Sequence, residues 1–440
     1  MAWFRLFSVF VSDTTPATEA ISRVGTFRWS SPRFLVISAA VIAASLKLYC
    51  ASTTIGSCDV PIFSHFGQII DSNGIDYLYR TERLFNFPPV TGEFVGLLYH
   101  FASYLSPANV DNVPRSFPLL LRLPSIFADL LAVLILLRLR EKTGKPPLWS
   151  LVLFALSPVA FMVSGFHGNV DSVMVCLLLI AAYFCVEEQP LLSGAFLAFA
   201  CSIKVTPLFL IPVFFFFWLH RGRKTALHFT SAFLVSCLAG WSGALVESSG
   251  YFFRHVLGYN SFPGGWGVTY WCVRLFEALD LDLSPQSLNR LSPVLTALKV
   301  IIIVSVIALG WLRRKESGTG FIATIALAWT CFVIFAPGFV PYYLIWMAPF
   351  VLVYSPVWYV VLTAATSVYL FAYYNMMSHG VIPWNASDPS VPPTWNDWGT
   401  IPWFVAVAMG IGALVLSRRS EGNLPRILPV QANPEQLRVS

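Results

Sequence analysis

Reading the chain from its N-terminus, long apolar runs alternate with short polar breaks almost throughout, and the runs lack the strict two-residue alternation of barrel strands. In lipid only helices and closed barrels satisfy the backbone, so unbroken apolar runs of this length predict membrane-spanning helices. A bilayer core takes roughly 17 to 25 helical residues. Spans are expected at about 34–50, 119–137, 148–164, 170–186, 191–203, 205–219, 226–246, 293–312, 321–336, 342–354, 357–374 and 401–416. Pro207, Pro212, Pro337, Pro341 and Pro349 fall near the ends or middles of such runs and predict broken segments that line a cavity.

The apolar stretch "EFVGLLYHFASYL" is short for a span, and charge decides its place. If it lies on the surface, the basic clusters at 138–145, 221–224, 313–315 and 418–419 all fall on the side of the N-terminal segment with Arg5, Arg23, Arg28 and Arg33. That satisfies the positive-inside rule throughout. The division that follows is a cytoplasmic N-terminal tail at 1–33, a transmembrane domain at 34–417 and a cytoplasmic C-terminal tail at 418–440. Three substantial loops, 51–118, 247–292 and 375–400, then lie on the non-cytoplasmic side, where chemistry is expected. "MAWFRLFSVF" lacks the features of a good signal peptide.

Composition agrees. The 440 residues are 56 % hydrophobic and only 11 % charged, against about 25 % charged in soluble proteins. The fold class is therefore an all-α integral membrane protein. The net charge of +6 resides in short clusters between spans rather than on one aromatic-interleaved face, which argues against nucleic acid. The eight cysteines show no metal-ligand spacing, so no metal is expected. Cys50, Cys58 and Cys272 fall near one membrane face, where a disulfide is one option. Walker, dinucleotide, nucleophile-elbow and HExxH motifs are absent.

The ionisable residues concentrate at helix ends. Asp59 follows the first span, where partial desolvation would raise the basicity of its carboxylate and suit it to accept a proton from a hydroxyl. His65 follows it; Asp71 and Asp76 flank an Asn-Gly turn and read as solvated. "FNFPP" stiffens the loop. "RLPSIFADLL" sets Arg122 and Asp129 seven residues apart on one helix face, Asp129 as structural polarity and Arg122 as an optional phosphate contact. "SGFHGNVDSVM" concentrates His167, Asn169 and Asp171 at another junction, although Asp171 would also serve as a helix cap. Lys204 stands at a third junction with no acid nearby in sequence, suited to snorkelling or to an anion. The loop "YFFRHVLGYNSFPGGWGVTYW" offers Arg254, His255, Tyr259, Asn260, Trp266 and Tyr270. "PGFVPYYLIW" places Tyr342 and Tyr343 at a further helix start, where belt tyrosines are also common.

In order and spacing, Asp59 after the first helix, "FNFPP", "RLPSIFADLL", "FHGNVDSVMVCLLL", "SIKVTPLFLIP" and "PGFVPYYLIWMAPF" resemble the GT-C glycosyltransferases that use polyprenyl-phosphate-linked sugars. The chain is similar to dolichyl-phosphate-glucose glucosyltransferases and to bacterial relatives of the GPI mannosyltransferases; "GNVD" at the His-containing junction favours the bacterial group. The resemblance implies a GT-C-type bundle of about twelve helices with juxtamembrane helices in the first external loop. It implies an inverting hexosyltransferase that moves mannose or glucose from a polyprenyl-phosphate donor to an acceptor glycan or lipid-linked glycan. Asp59 would be the general base. His65, His167, Asn169, Asp171, Lys204, Arg254, Trp266 and Tyr342 would bind substrate, with Lys204, Arg254 and Tyr342 toward the phosphate. The lipid-linked sugar is a co-substrate, and no cofactor is implied beyond it. The location implied is a bacterial cytoplasmic membrane rather than endoplasmic reticulum, with the site facing outward. A transporter or flippase is the alternative; it would call for a midplane site and repeat symmetry, and the chain shows neither.

Overall fold

A computed structural model describes residues 32–106, 113–258, 265–280, 292–387 and 397–422, with side chains placed over 33–415 within those ranges. Most of both expected tails, and Tyr259 and Asn260, lie outside the described residues.

Seven helices are long and apolar enough to cross a bilayer: Arg33–Thr53, Phe117–Thr143, Leu148–His167, Arg223–Glu247, Ser292–Leu312, Pro356–Met377 and Asp397–Val415. Five shorter apolar helices accompany them: Asp171–Val186, Pro190–Ile203, Thr206–Arg221, Thr319–Phe335 and Pro341–Tyr354. Each coincides with one apolar run of the sequence. Many apolar side chains on these helices point outward, among them Leu35, Val41, Ile42, Leu131, Val304 and Ile307. An exposed apolar surface on this scale is what lipid covers. The chain is a multi-pass integral membrane protein.

Four helices frame the site. Helix α1 (Pro32–Thr53) runs to a short link that ends in α2 (Asp59–Asn73). After α3 (Ile75–Thr81), α4 (Pro89–Leu105) holds "EFVGLLYHFASYL". It packs lengthwise on α2, because a Cβ at Gly67 would sit 2.5 Å from Tyr99 and one at Gly96 the same distance from Ile70. Only glycine lets the two backbones approach so closely. Leu97, Phe101 and Tyr104 stay exposed on its outer side. A second hydrophobic cluster thus builds up apart from the main core, around Phe63, Phe66, Tyr79, Phe85, Val95 and Phe117.

Helix α5 (Phe117–Thr143) presents Arg122 and Asp129 to α1, as their seven-residue spacing predicts. The next span changes character part way: α6 (Leu148–Ala155) and a turn at Pro158–Ala160 run into a π-helix, Phe161–His167. Its hydrogen bond from Gly168 N to Val163 O spans five residues. Helices α7 (Asp171–Val186) and α8 (Pro190–Ile203) follow. Two of the expected breaks take the form of 3-10 segments: Pro207 is the second residue of Thr206–Leu210, and Pro341 begins Pro341–Met347. Pro has no N–H to leave unpaired, so it fits the first positions of a helix. Lys204, just before the first break, meets Tyr343 and Trp346 of the second.

Candidate active site

The link between α1 and α2 is short and tightly held. Arg122, fully buried, donates from Nη1 to Ala51 O, Thr54 O and Thr54 Oγ1, at 3.3, 3.0 and 3.3 Å, and from Nη2 to Ile55 O. A guanidinium there satisfies orphan carbonyls and places positive charge at the negative end of the helix dipole. Arg122 is therefore occupied in ending α1, and the phosphate contact suggested by sequence is corrected. Gly56, at φ +101°, passes so close that a Cβ would collide with the guanidinium and with Phe166 O. Replacing Arg122 with Leu strands these carbonyls at about 1–3 kcal/mol each. The thermal midpoint in detergent should drop by the equivalent of about 3 kcal/mol or more, and Lys, which has no fork, should restore only part of it.

Beyond Gly56, Ser57 Oγ donates to His167 O at 2.8 Å and accepts from Asp59 N at 3.2 Å. Asp59 is the first residue of α2, where the helix dipole favours an ionised carboxylate. Its Oδ2 lies 3.0 Å from His167 Nε2 and accepts from Tyr342 Oη at 3.3 Å. A carboxylate only accepts, so His167 bears its proton on Nε2. The imidazole stacks on Tyr342 with centroids 3.9 Å apart. Among the described residues, Oδ1 of Asp59 has no side-chain partner, and the Asp59 side chain is 24 % exposed against 2 % for His167. Burial pushes the Asp59 pKa up, as the sequence suggests. The charge and hydrogen bond of His167, the charge of Lys204 and the Tyr342 hydroxyl outweigh it, and the carboxyl is held below its usual range. Desolvation raising its basicity is thus overridden; Asp59 is poised as a stable anion.

Lys204 ends α8 in an extended conformation, which turns its side chain off the helix axis. Nζ donates to Asp171 Oδ1 at 2.8 Å. It lies over the rings of Tyr343 (4.0 Å), Trp346 (4.8 Å) and Phe87 (5.7 Å), a cation held by aromatic faces. Asp171, wholly buried, also accepts from Asn169 Nδ2 at 2.8 Å through Oδ2, while its N–H bonds Asn169 Oδ1 at 3.0 Å. Ser125 Oγ holds Asn169 O at 2.6 Å. Thus Asn169 and Asp171 hold Lys204 and have little surface of their own to offer.

Asp59, His167 and Tyr342 therefore meet directly, and Asn169, Asp171 and Lys204 form an adjoining network. Three expected residues lie elsewhere. His65 is largely exposed and faces Glu82 at 3.5 Å. Arg254, on the short π-helix Phe253–Leu257, is exposed and makes no bond to Asp59, His167 or Lys204. Trp266 is buried, donates to Val333 O at 2.8 Å and stacks on Phe339 at 4.7 Å, which is packing. Ser57 and Trp346 join the site without having been marked for it by sequence, and Tyr343, noted there beside Tyr342 but not assigned to substrate, joins them. The "YYLIW" spacing held the signal, since residues three apart eclipse in a 3-10 helix, and Tyr343 and Trp346 stack at 3.9 Å.

All eight cysteines are free thiols, so the disulfide option among Cys50, Cys58 and Cys272 is corrected. Burial first, then the Asp59 charge, pushes the Cys58 thiol up to about 12. Among the described residues, no group of three or more His, Cys, Asp or Glu side chains is placed to hold a metal.

No curated protein matches the chain. The family model of Glycosyltransferase family 87 matches residues 119–337, from α5 through the helix that precedes the Tyr342 break. That stretch holds His167, Asn169, Asp171 and Lys204, while Asp59 and Tyr342 flank it. With the helical architecture and the ordered motifs, this makes the chain a membrane glycosyltransferase of the GT-C superfamily, matching family 87 across residues 119–337.

Proposed function

We propose that this protein transfers a hexose, mannose or glucose, from a polyprenyl-phosphate donor to an acceptor glycan or lipid-linked glycan, with inversion at the anomeric carbon. The observation that carries the reading is the divided Asp59 carboxylate, with Oδ2 held by His167 and Tyr342 and Oδ1 left open. The acceptor hydroxyl gives its proton to Oδ1 as its oxygen bonds to the anomeric carbon. The bond from that carbon to the phosphate oxygen breaks, and its electron pair leaves with the polyprenyl phosphate. Phosphate is a good leaving group, so one base and nearby positive charge suffice without the paired carboxyls of glycosidases. Lys204 supplies that charge close to Asp59, and the loop-rich end of the bundle is the non-cytoplasmic side, in a bacterial cytoplasmic membrane.

A groove of about 830 Å³ supports a lipid-borne substrate. Leu46, Phe161, Met162, Val368, Phe371 and Trp384 line it, and its walls include the π-helix that carries His167. Its apolar lining suits an isoprenoid or acyl chain.

The test offers polyprenyl-phosphate mannose, glucose, galactose and arabinose to the protein in lipid nanodiscs, with membrane extracts as acceptor. Mannose or glucose should transfer, and the product should have the anomeric configuration opposite to the donor. Absence of transfer from all four, with accelerated lipid flipping in proteoliposomes, would replace the enzyme with a flippase.

A further inference from the structure

Lys47 of α1 and Asp129 of α5 form an ion pair at 2.5 Å inside the bundle, with side chains 4 % and 18 % exposed. Burying two charges at membrane depth is costly, and packed apolar residues of similar volume commonly do as well for stability. Stability alone does not call for this pair. Its third member points to a different role, because Ser164 shares its hydroxyl hydrogen between Asp129 Oδ2, at 2.5 Å, and Ala160 O, at 2.6 Å. Ser164 lies in the π-helix, three residues before His167. Next to it, a Cβ on Gly165 would come within 3.1–3.2 Å of Lys47 Cα, Cβ and Cγ, so the π-helix rests directly on α1 at Lys47.

The π register is the uncommon one, and such turns are short and local. Slipping to the α register across this segment would move His167 by one residue, about 1.5 Å along the axis and roughly 100° around it. Nε2 would then leave Asp59. We propose that Lys47, Asp129 and Ser164 form a clamp inside the membrane that holds the π register of Phe161–His167 and so aims His167 at Asp59. All three are positioning residues. The proposal rests on the transferase reading above and extends it to groups set back from the reacting atoms, of which Lys47 also borders the apolar groove.

The test uses the full chain in nanodiscs, with whichever polyprenyl-phosphate hexose the donor panel finds active. Ser164→Ala removes the hydroxyl; the double change Lys47→Met with Asp129→Leu replaces the pair without leaving a lone buried charge. Displacing a catalytic contact by about 1 Å can cost about 100-fold. Both variants should therefore lose about 10- to 100-fold in kcat with KM for donor and acceptor within about twofold, at a near-parental thermal midpoint. In a His167→Ala background the same changes should cost nothing further, since the clamp acts through that ring. Amide exchange across residues 161–168 should quicken in Ser164→Ala. Parental kcat, or a full additional loss on top of His167→Ala, would overturn the clamp. If the parent transfers no sugar, the functional reading fails by itself, and unchanged exchange across 161–168 in Ser164→Ala then overturns the clamp separately.

Discussion

Asp59→Asn is expected to lower kcat by about 10³- to 10⁴-fold while leaving donor and acceptor KM within a few-fold. The upper part of the range for general-base catalysis applies because one group does the whole proton transfer. Asn has the same shape, so the His167 and Tyr342 contacts to Oδ2 retain a partner and the fold should survive. What is lost is the free anionic oxygen, Oδ1. Activity unchanged in the variant would remove Asp59 from the chemistry.

The pH profile tests the same residue independently. His167, Lys204 and Tyr342 hold the Asp59 carboxyl below its usual range against the upward push of burial. In the parent, the acid limb of kcat/KM should therefore lie below the ordinary carboxylate pKa of about 3.9. His167→Ala deletes the largest opposing influence, and burial should then move that limb upward, toward neutrality. Linkage has the same sign: the stabilisation from this lowered pKa is present above the unfolded value and is lost as pH falls through the folded one. An acid limb that stays in place in His167→Ala would separate the imidazole from the carboxylate.

Hydropathy made the bundle legible, since each apolar run reports its own burial in lipid. The Arg122 and Asp129 spacing implied a shared helix face, and both side chains do turn to α1; which carbonyls or charges they meet there depended on a second helix. Asp59, His167 and Tyr342 were marked by lying at helix ends. His65 misled because residue type does not tell direction: six residues beyond Asp59, it points about 120° away around the helix, toward Glu82. Trp266 misled because a large aromatic ring in a glycine-rich loop is also good core. Lys204 showed no acid nearby in sequence; Asp171 reaches it from 33 positions away, across two helices.

That hidden pair gives the second large effect. Lys204→Met should leave Asp171 charged and wholly buried, and Asp171→Asn should leave Lys204 without its counter-ion. Breaking a buried pair from one side costs about 3–5 kcal/mol, so either single variant should show a sharply lower thermal midpoint and poor recovery from membranes. Lys204→Met combined with Asp171→Asn removes both charges, and the Asn side chain can still bond Asn169. This double variant should regain most of the stability. It should not regain activity: a positive charge that helps His167 to hold Asp59 anionic, and that would face a departing phosphate, is gone. We expect kcat to remain down about 100- to 1000-fold, the loss seen when a single electrostatic contact to developing charge is removed. The acid limb should also shift upward. If the double variant returns with parental kinetics, Lys204 serves only to neutralise Asp171, and positive charge for the leaving group must come from a residue outside this network.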